Sequence, residues 1–368
     1  MRVGALSSLR KFTVGAAALL LLAGCATSGS EHVTQESVVL PPLSEVTPLA
    51  DPVSHSGPTV VKLPESRIEA FLQNPQPQLP VTVTSHTLGG DQQVEVRDVS
   101  RIVPLSLGGS VGDYVYTFGF GDNIVGRDVS TVVPELEDVP VVTRNGHSVD
   151  AESVLALNPT LVITDGTIGP TDVVDQFADA GVTVVYVENA ADYESSYVQA
   201  QQIADLLGVG DKAPELIAKL RHDIAAKEQE ITAWLQNVTT RPRVAFLYMR
   251  GEGVFYLFGE GSGIDTLFKS LGVTDVAAEI NWVGQRPMND EALIEANPDT
   301  LLVMEKGLES VGGVEGMLTV HPATALTEAG KKQRVVSVAD TGLFVGAPRV
   351  PAVLDGLARA FYAPDSLE

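Results

Sequence analysis

A short internal repeat constrains the fold of this chain more than any other feature. The first copy runs from Glu152 to Asn158-Pro159 and then into Leu-Val-Ile, and the second runs from Glu291 to Asn297-Pro298 and then into Leu-Leu-Val. Because a residue before proline disfavours the helical conformation, each copy predicts a helix that ends there and returns as a buried strand. Two copies in the same register predict two similar α/β lobes.

One long helical segment separates the two copies. Residues 211–237 carry apolar side chains on one stripe and polar ones elsewhere, with Pro214 in the first turn and Arg241-Pro242 beyond the end. At 1.5 Å per residue this helix would be ~40 Å long. The sequence therefore predicts an N-terminal α/β lobe over residues 81–208, a connecting helix over residues 209–240 and a C-terminal α/β lobe over residues 241–368.

Within each lobe, short apolar runs alternate with helical segments, which is typical of parallel βαβ units and of Rossmann-like lobes. The predicted strands are residues 101–105, 124–126, 139–142, 160–164, 182–187, 244–248, 300–304 and 335–338. The predicted helices include residues 171–180, 191–207 and 351–361.

Residues 1–25 have the pattern of an export signal. Basic residues precede an apolar stretch over residues 12–23, which is shorter than the ~20 residues that span a bilayer. The stretch ends in Leu22-Ala23-Gly24-Cys25, which resembles a bacterial lipobox. We therefore expect lipidation of Cys25 and an extracytoplasmic protein anchored to the cell membrane. Residues 26–80, rich in Pro, Ser and Thr, predict a spacer with a possible helix over residues 66–72.

Composition excludes several classes of function. The chain has 24 Lys and Arg against 47 Asp and Glu, a net charge of −23, so nucleic acid is not an expected partner. A single cysteine excludes an internal disulfide and a Cys-rich metal site. Neither a P-loop nor a His-Glu-x-x-His motif is present, and we do not expect an enzyme.

The lipobox, the two lobes and the single connecting helix together resemble the substrate-binding proteins of ABC importers for vitamin B12, ferric siderophores and haem. The likeness covers residues 81–368 and includes Gly121-Asp-Asn-Ile-Val-Gly126, His321-Pro322 and Arg334-Val-Val. It implies a class III periplasmic-binding-protein fold and a monomer. It also implies an ABC permease dimer with its ATPase as the partner.

Within that family the sequence is most similar to the HmuT-type haem-binding lipoproteins, on the basis of Arg144-Asn-Gly-His147 and Tyr248-Met249-Arg250. In those proteins a histidine of one lobe and a tyrosine of the other bind the haem iron, and an arginine two residues after the tyrosine supports the phenolate. The resemblance implies ferric haem as the cargo, His147 and Tyr248 as axial ligands, and Arg250 as the supporting residue.

The chemistry of these residue types agrees with that implication. Phenolate is a hard ligand for ferric iron, and imidazole is a common haem ligand. A neighbouring guanidinium favours the charged phenolate, and residues i and i+2 of a strand share a face. Each residue alone has an ordinary explanation: His147 as a loop histidine, Tyr248 as a tyrosine at a strand end, and Arg250 as a surface charge.

Porphyrin faces need an apolar slot, and the two propionates need cations at its mouth. The candidate wall residues are Phe255, Tyr256, Phe258, Trp282 and Met304. The candidate cations are Arg127, Arg144, Arg286 and Arg349. Glu152 and Glu291, which the helix dipole favours in a first turn, match the family's acids that dock on the permease.

Other functions stay open at this stage. The same fold can carry a ferric siderophore or cobalamin without His and Tyr ligands. A zinc or manganese receptor would need three or four converging His and carboxylate ligands. A structural or adhesive lipoprotein would bind no small molecule.

Overall fold

The computed structural model describes residues 39–63, 68–87, 89–144, 148–344 and 346–368. The predicted signal segment, Cys25 and His147 lie outside these ranges. No helix in the described ranges is both long and apolar enough to cross a bilayer. Two short 3-10 helices, Leu43–Glu45 and Pro52–Ser54, precede the first strand β1 (Thr59–Val60).

The first lobe is built on a three-stranded parallel sheet with the order β4-β7-β8. The strand β7 has four fully buried residues, as expected for a parallel strand covered on both faces. The elements in chain order are β2 (Val81–Thr87), β3 (Gly90–Val96), β4 (Ile102–Leu105), α1 (Ser110–Val115), β5 (Thr143–Arg144), β6 (Ser148–Val149), α2 (Ala151–Ala156), β7 (Leu161–Thr164), α3 (Thr171–Asp179), β8 (Thr183–Tyr186) and α4 (Tyr193–Leu206).

Three of the five strands predicted for this lobe are confirmed as β4, β7 and β8. The predictions over residues 124–126 and 139–142 are wrong, because these residues form only single bridges, Ile102 with Ile124 and Arg127 with Val141. The antiparallel hairpin of β2 and β3 was not predicted. Most residues of both strands are polar, and β3 is mostly exposed, so the hairpin gives no apolar run to detect.

The connecting helix is α5 (Ala213–Trp234), with Pro214 in its first turn. Its buried residues, including Leu216, Leu220, Ile224 and Ile231, lie on one stripe, as the periodicity predicted. At 22 residues it is about 33 Å long, shorter than the ~40 Å expected from the sequence.

The second lobe has a mixed sheet of seven strands in the order β1-β14-β13-β9-β10-β12, with β11 also paired to β9. The strands β9, β13, β14, β1 and β11 are parallel, whereas β10 and β12 are antiparallel additions. The elements are β9 (Arg243–Arg250), β10 (Val254–Phe258), α6 (Ile264–Leu271), β11 (Thr274–Asp275), α7 (Val276–Glu279), β12 (Gln285–Pro287), α8 (Asp290–Ala296), β13 (Thr300–Met304), α9 (Glu305–Ser310), α10 (Gly313–Val320), α11 (Pro322–Leu326), α12 (Glu328–Lys331), β14 (Val335–Val338) and α13 (Val350–Tyr362).

The internal repeat is confirmed as a structural unit in both lobes. Helix α2 leads through Asn158 into β7, and helix α8 leads through Asn297 into β13. Both asparagines have a positive φ, 48° and 41°, which turns the chain sharply after the helix. The repeat therefore places one helix and one central strand in equivalent positions of the two sheets.

An arginine locks each copy of the repeat to the preceding strand. Nε of Arg101, next to β4, donates to the carbonyl oxygens of Leu157 and Asn158 at 3.1 and 2.9 Å. Arg243, the first residue of β9, donates to Ala296 O at 2.9 Å and to Asn297 O at 2.7 Å. Both arginines thus satisfy carbonyl groups that the end of a helix leaves unpaired.

The prediction that residues 26–80 form a spacer is wrong for the described residues 39–63 and 68–80. Strand β1 pairs in parallel with β14, and Leu43 is 1% exposed. Nε1 of Trp234, at the end of α5, donates to Val46 O at 2.6 Å. Phe71 N donates to Thr117 O in the first lobe, so this segment is packed against both lobes and α5. Residues 68–72 are not helical.

Candidate functional site

Tyr248 lies near the carboxyl end of β9, on the edge of the second-lobe sheet where β13 and β14 also end. Ligands of open α/β sheets bind at this edge. A methyl group at Gly108, in the loop that follows β4 of the first lobe, would collide with the carbonyl oxygen of Phe344 beyond β14. The carboxyl edges of the two sheets therefore face each other, and half-buried Tyr248 lies at the edge of the second one.

Arg250 stands over the ring of Tyr248. Its Cζ is 4.7 Å from the ring centroid, which is cation–π geometry. Nη1 donates to Met249 O at 2.9 Å, and Nη2 donates to a carboxylate oxygen of Asp340. The spacing of two residues on one strand thus brings the guanidinium to the phenol, as the sequence predicted.

Aromatic and apolar side chains continue the same face of the sheet. Phe258 lies 6.0 Å from Tyr248 and 5.0 Å from Phe246 between ring centroids, and Phe344 lies 5.8 Å from Phe258. Met304 is 6% exposed and belongs to the same buried cluster. Tyr256 is the direct cross-strand partner of Tyr248. Tyr256, Phe258 and Met304 therefore lie on the Tyr248 face, where the sequence analysis placed wall residues.

Three other wall and mouth candidates lie on the opposite face. Phe255 follows the alternate register of β10 and stacks on His321 with ring centroids 4.1 Å apart. Trp282 packs against the same opposite cluster, and Arg286 stands over its indole at 4.5 Å. Because side chains alternate along a strand, Phe255, Trp282 and Arg286 cannot share a slot with Tyr248, and these three predictions are wrong.

Two of the arginines that were candidates for binding the propionates already bind other groups of the protein. Arg127 is 7% exposed and donates to the carbonyl oxygens of Leu136, Thr131 and Glu137. These hydrogen bonds stabilise the loop that follows Arg127. Arg349 forms two hydrogen bonds of 2.7 Å with Asp113, which is fully buried. The contact joins α1 of the first lobe to the segment before α13. A guanidinium used in this way is not available to a propionate, and both predictions are corrected.

His147 cannot be placed, because residues 145–147 lie outside the described residues. The backbone on either side is described: Thr143 and Arg144 of β5 pair antiparallel with Val149 and Ser148 of β6. Both strands belong to the first lobe. His147 and the side chain of Arg144 stay predictions.

Two carboxyl groups, one fully buried and one half-buried, organise the facing edge of the first lobe. Asp128 accepts hydrogen bonds from the backbone N–H groups of Ser106, Ser130 and Thr131, yet its complete burial raises its pKa to about 7. Asp165, just after β7, accepts from Thr167, and burial raises its pKa to about 6. These contacts hold the loops that follow β4 and β7 in place.

The spacing Gly108-Gly109-Ser110-Val111-Gly112 also matches the Gly-x-Ser-x-Gly pattern of nucleophile elbows. Ser110 is only 4% exposed and is the first residue of α1. A methyl group at Gly109 would collide with Ser130 O, and one at Gly112 would collide with Thr131. Close packing of α1 on this loop therefore accounts for Gly109 and Gly112.

The two predicted docking acids occupy equivalent positions. Glu152 is in the first turn of α2 and Glu291 is in the first turn of α8, and both are exposed. Their side chains are available to a partner, which is what a docking role requires.

A cavity of about 790 Å³ lies elsewhere in the first lobe, between the β2–β3 hairpin, β8 and α4. None of the candidate ligand, wall, mouth or docking residues lines it. Within the described ranges, no group of three or more His, Cys, Asp or Glu side chains is arranged to hold a bare metal ion.

Comparison with known proteins defines the class. The family model for periplasmic binding proteins matches residues 105–341, and the chain belongs to this family. Members of this family are the substrate-binding proteins of ABC transporters. They act with a permease and an ATPase, and they bind a substrate rather than catalyse a reaction. The class III fold expected from the resemblance is confirmed, with two α/β lobes joined by α5.

Three individual proteins show which members of the family this chain is similar to. The heme binding protein HmuT is 36% identical, with a TM-score of 0.74 over 85% of this chain and 99% of that chain. The periplasmic heme-binding protein RhuT from Roseiflexus sp. RS-1 is 33% identical, with a TM-score of 0.63 over 74% of this chain and all of that chain. An uncharacterized ABC transporter substrate-binding lipoprotein of Bacillus subtilis, YvrC, is 24% identical over 78% of this chain and 87% of its own length.

Sequence reasoning missed two residues of this site. Phe344 follows β14 and reaches the aromatic face of Tyr248, and Asp340 binds Arg250 from 90 positions away. No local pattern marks either residue. Only the convergence of β9 and β14 at one sheet edge brings them to Tyr248.

Proposed function

We propose that this protein is a lipid-anchored haem receptor that binds ferric haem between its lobes and delivers it to an ABC permease for iron uptake. The observation that carries the proposal is the phenol of Tyr248, which lies at the carboxyl edge of the second sheet with a guanidinium over its ring and an apolar wall beside it. A phenolate is a hard ligand for ferric iron, and the apolar wall suits a porphyrin face.

His147 is the proposed ligand on the other face of the haem. The described residues on either side of it, Arg144 and Ser148, belong to first-lobe strands, so His147 would approach the iron from the lobe opposite Tyr248. Solved structures of HmuT include variants in which a histidine, a tyrosine and an arginine two residues after that tyrosine are each replaced by alanine. His147, Tyr248 and Arg250 are the same three residue types in the same order.

The wall of the proposed slot consists of Tyr256, Phe258, Met304 and Phe344. Each lies on the face of the sheet that carries Tyr248 or packs against it. Arg144 is the remaining candidate for a propionate contact among the arginines considered, because Arg127, Arg286 and Arg349 are engaged elsewhere.

Anchoring and delivery complete the proposal. Cys25 would carry the lipid, and the curated relative from B. subtilis is itself described as a lipoprotein. Glu152 and Glu291 would each meet one subunit of a permease dimer, since the repeat puts them at equivalent positions of the two lobes. Two equivalent acids suit a partner with twofold symmetry.

A haemin titration tests the binding. We expect the mature protein to bind one equivalent of ferric haem with an intense Soret band, and we expect Tyr248→Phe and His147→Ala each to change the ligand-field bands. Tyr256→Phe is the matched control, because it removes a phenol from the neighbouring strand of the same face. A ferric siderophore or cobalamin receptor would instead show no saturable haem binding, and unchanged bands in both ligand variants would refute the ligand assignment.

Uptake measurements extend the same experiment to delivery. The double variant Glu152→Ala with Glu291→Ala should keep haem binding and lose haem-dependent growth. A loss of haem affinity in this variant would contradict the docking role.

A further inference from the structure

We propose that Asp340 is a positioning residue for the iron ligand: it holds Arg250 over the ring of Tyr248. This inference rests on the proposed haem function. It concerns a residue outside the predicted ligand set, and it follows from the contacts around Arg250.

Asp340 ties together three elements at the site. One carboxylate oxygen accepts from Nη2 of Arg250 at the end of β9, and the other accepts from Lys306 N in the first turn of α9 at 3.0 Å. Asp340 itself begins the 3-10 turn that follows β14. The Arg250 and Asp340 side chains are 29% and 15% exposed, so water screens their ion pair less than it screens a pair on an open surface.

The guanidinium is also confined from a second side. Nη1 of Arg250 donates to Met249 O at 2.9 Å. Gly307 in α9 leaves the necessary room: a methyl group there would lie 2.7 Å from Met249 O and 2.9 Å from Nη1. Asp340, Met249 O and the backbone at Gly307 therefore determine where the guanidinium sits. Its position over the tyrosine ring follows from these three contacts.

Asp340 acts on Tyr248 through Arg250. Its carboxylate is the acceptor that holds Nη2 of Arg250, and Cζ of the same guanidinium lies 4.7 Å from the centroid of the Tyr248 ring. Removal of the carboxylate leaves Nη2 without this partner, so the guanidinium can move away from the ring.

Three substitutions test this role. Asp340→Ala removes both acceptor oxygens and the charge, whereas Asp340→Asn removes the charge and one acceptor and keeps one amide oxygen that can accept from Arg250. Gly307→Ala keeps every charge and displaces Arg250. The matched control is Glu279→Gln, because Glu279 pairs at 2.6 Å with Arg243 at the other end of the same strand.

The first measurement is the rate of haem transfer from the loaded protein to apomyoglobin. Asp340→Ala and Gly307→Ala should each release haem about tenfold faster than wild type. Asp340→Asn should release haem more slowly than Asp340→Ala, because it keeps one acceptor oxygen, and Glu279→Gln should match wild type. Wild-type rates in both Asp340→Ala and Gly307→Ala would overturn the proposal, and so would equal acceleration by Glu279→Gln.

The second measurement needs no haem. Crystal structures of the haem-free protein and its variants give the position of the Arg250 guanidinium relative to the Tyr248 ring. Cζ of Arg250 lies 4.7 Å from the ring centroid in the wild-type chain, and we expect it to leave the ring in Asp340→Ala and to stay there in Glu279→Gln. If Arg250 moves in this way in a protein that binds no haem, the positioning role stands and the proposed cargo is wrong. If haem binds and Arg250 stays over the ring in Asp340→Ala, the positioning role is wrong.

Discussion

The two lobes share one framework and differ in what is built onto it. In each lobe an arginine beside the first parallel strand holds the end of the repeat helix, and an asparagine with positive φ turns the chain into the next strand. The first-lobe sheet stops at three strands. The second-lobe sheet continues through β10 and β12, and Tyr248 lies where β9 meets β10.

This difference distinguishes the framework that the two lobes share from the candidate binding site. The repeated helix and strand put a carboxyl edge in each lobe, which is where open α/β sheets bind ligands. Tyr256 and Phe258 lie on β10, which has no counterpart in the described part of the first-lobe sheet, and Arg250, Asp340 and Phe344 lie at or beyond the ends of β9 and β14. The two lobes are therefore similar in their repeated helix and strand, but not in the side chains of the candidate site.

The largest expected effect comes from the contact that joins the lobes. Removal of Arg349 leaves Asp113 buried without its partner, and burial already raises the pKa of that carboxyl group. We expect Arg349→Ala to lower the free energy of unfolding by about 3 kcal/mol. Urea unfolding followed by circular dichroism measures this loss.

Asp113→Asn in the Arg349→Ala background should recover part of the lost stability, since the orphaned charge is gone. A single unfolding transition that shifts as a whole would mean that the lobes unfold together. Two separate unfolding transitions in the variant would show that the lobes do not unfold as one cooperative unit.

A second prediction concerns the pH dependence of stability in the first lobe. The pKa of Asp128 is about 7 in the folded protein, against ~3.9 when unfolded. Between about pH 4 and pH 7 the native state keeps a proton that the unfolded state has lost, so this group lowers stability as pH rises, by at most about 1.4 kcal/mol per unit.

Asp128→Asn should flatten this part of the profile, measured as the urea midpoint at several pH values. Asp223→Asn is the control, because Asp223 is a helix-surface acid paired with Lys219. An unchanged slope in Asp128→Asn would show that burial does not hold the proton on this carboxyl group.

The smallest effect tests how equivalent the two copies of the repeat are. Asn297 Oδ1 accepts from Glu328 N at 2.8 Å, whereas the Asn158 side chain only donates locally to Ala156 O at 3.3 Å. Glycine tolerates the positive φ at both positions. We expect Asn297→Gly to cost about 1 kcal/mol and Asn158→Gly to stay within about 0.5 kcal/mol. Equal changes in thermal unfolding would contradict this asymmetry.

Much of the fold could be predicted because buried parallel strands and amphipathic helices leave periodic patterns. The strands β7 and β13 and the helix α5 follow directly from such patterns. The strand β1 could not be found in this way, since two residues in a Pro-rich segment carry no period. Its place beside β14 depends on a partner about 275 residues away.

Only those parts of the candidate site that depend on residues close together in the sequence could be predicted. Tyr248 and Arg250 share a strand, so their proximity follows from alternation along that strand. Phe255 and Phe258 are three residues apart on one strand, so alternation puts them on opposite faces, and the pairing of β10 with β9 decides that Phe258 shares the face of Tyr248. Arg349 looked like a free cation, and only its buried partner in the first lobe shows that it is structural.

By itself, the sequence determined two α/β lobes around one helix, the acidic balance, and the tyrosine and arginine on one strand, because these depend on composition and on residues close in the chain. The tertiary structure decided which aromatic side chains share a face with Tyr248, which arginines are already paired, and that Asp340 holds Arg250. These depend on strand register and on contacts between distant segments, which local periodicity does not encode.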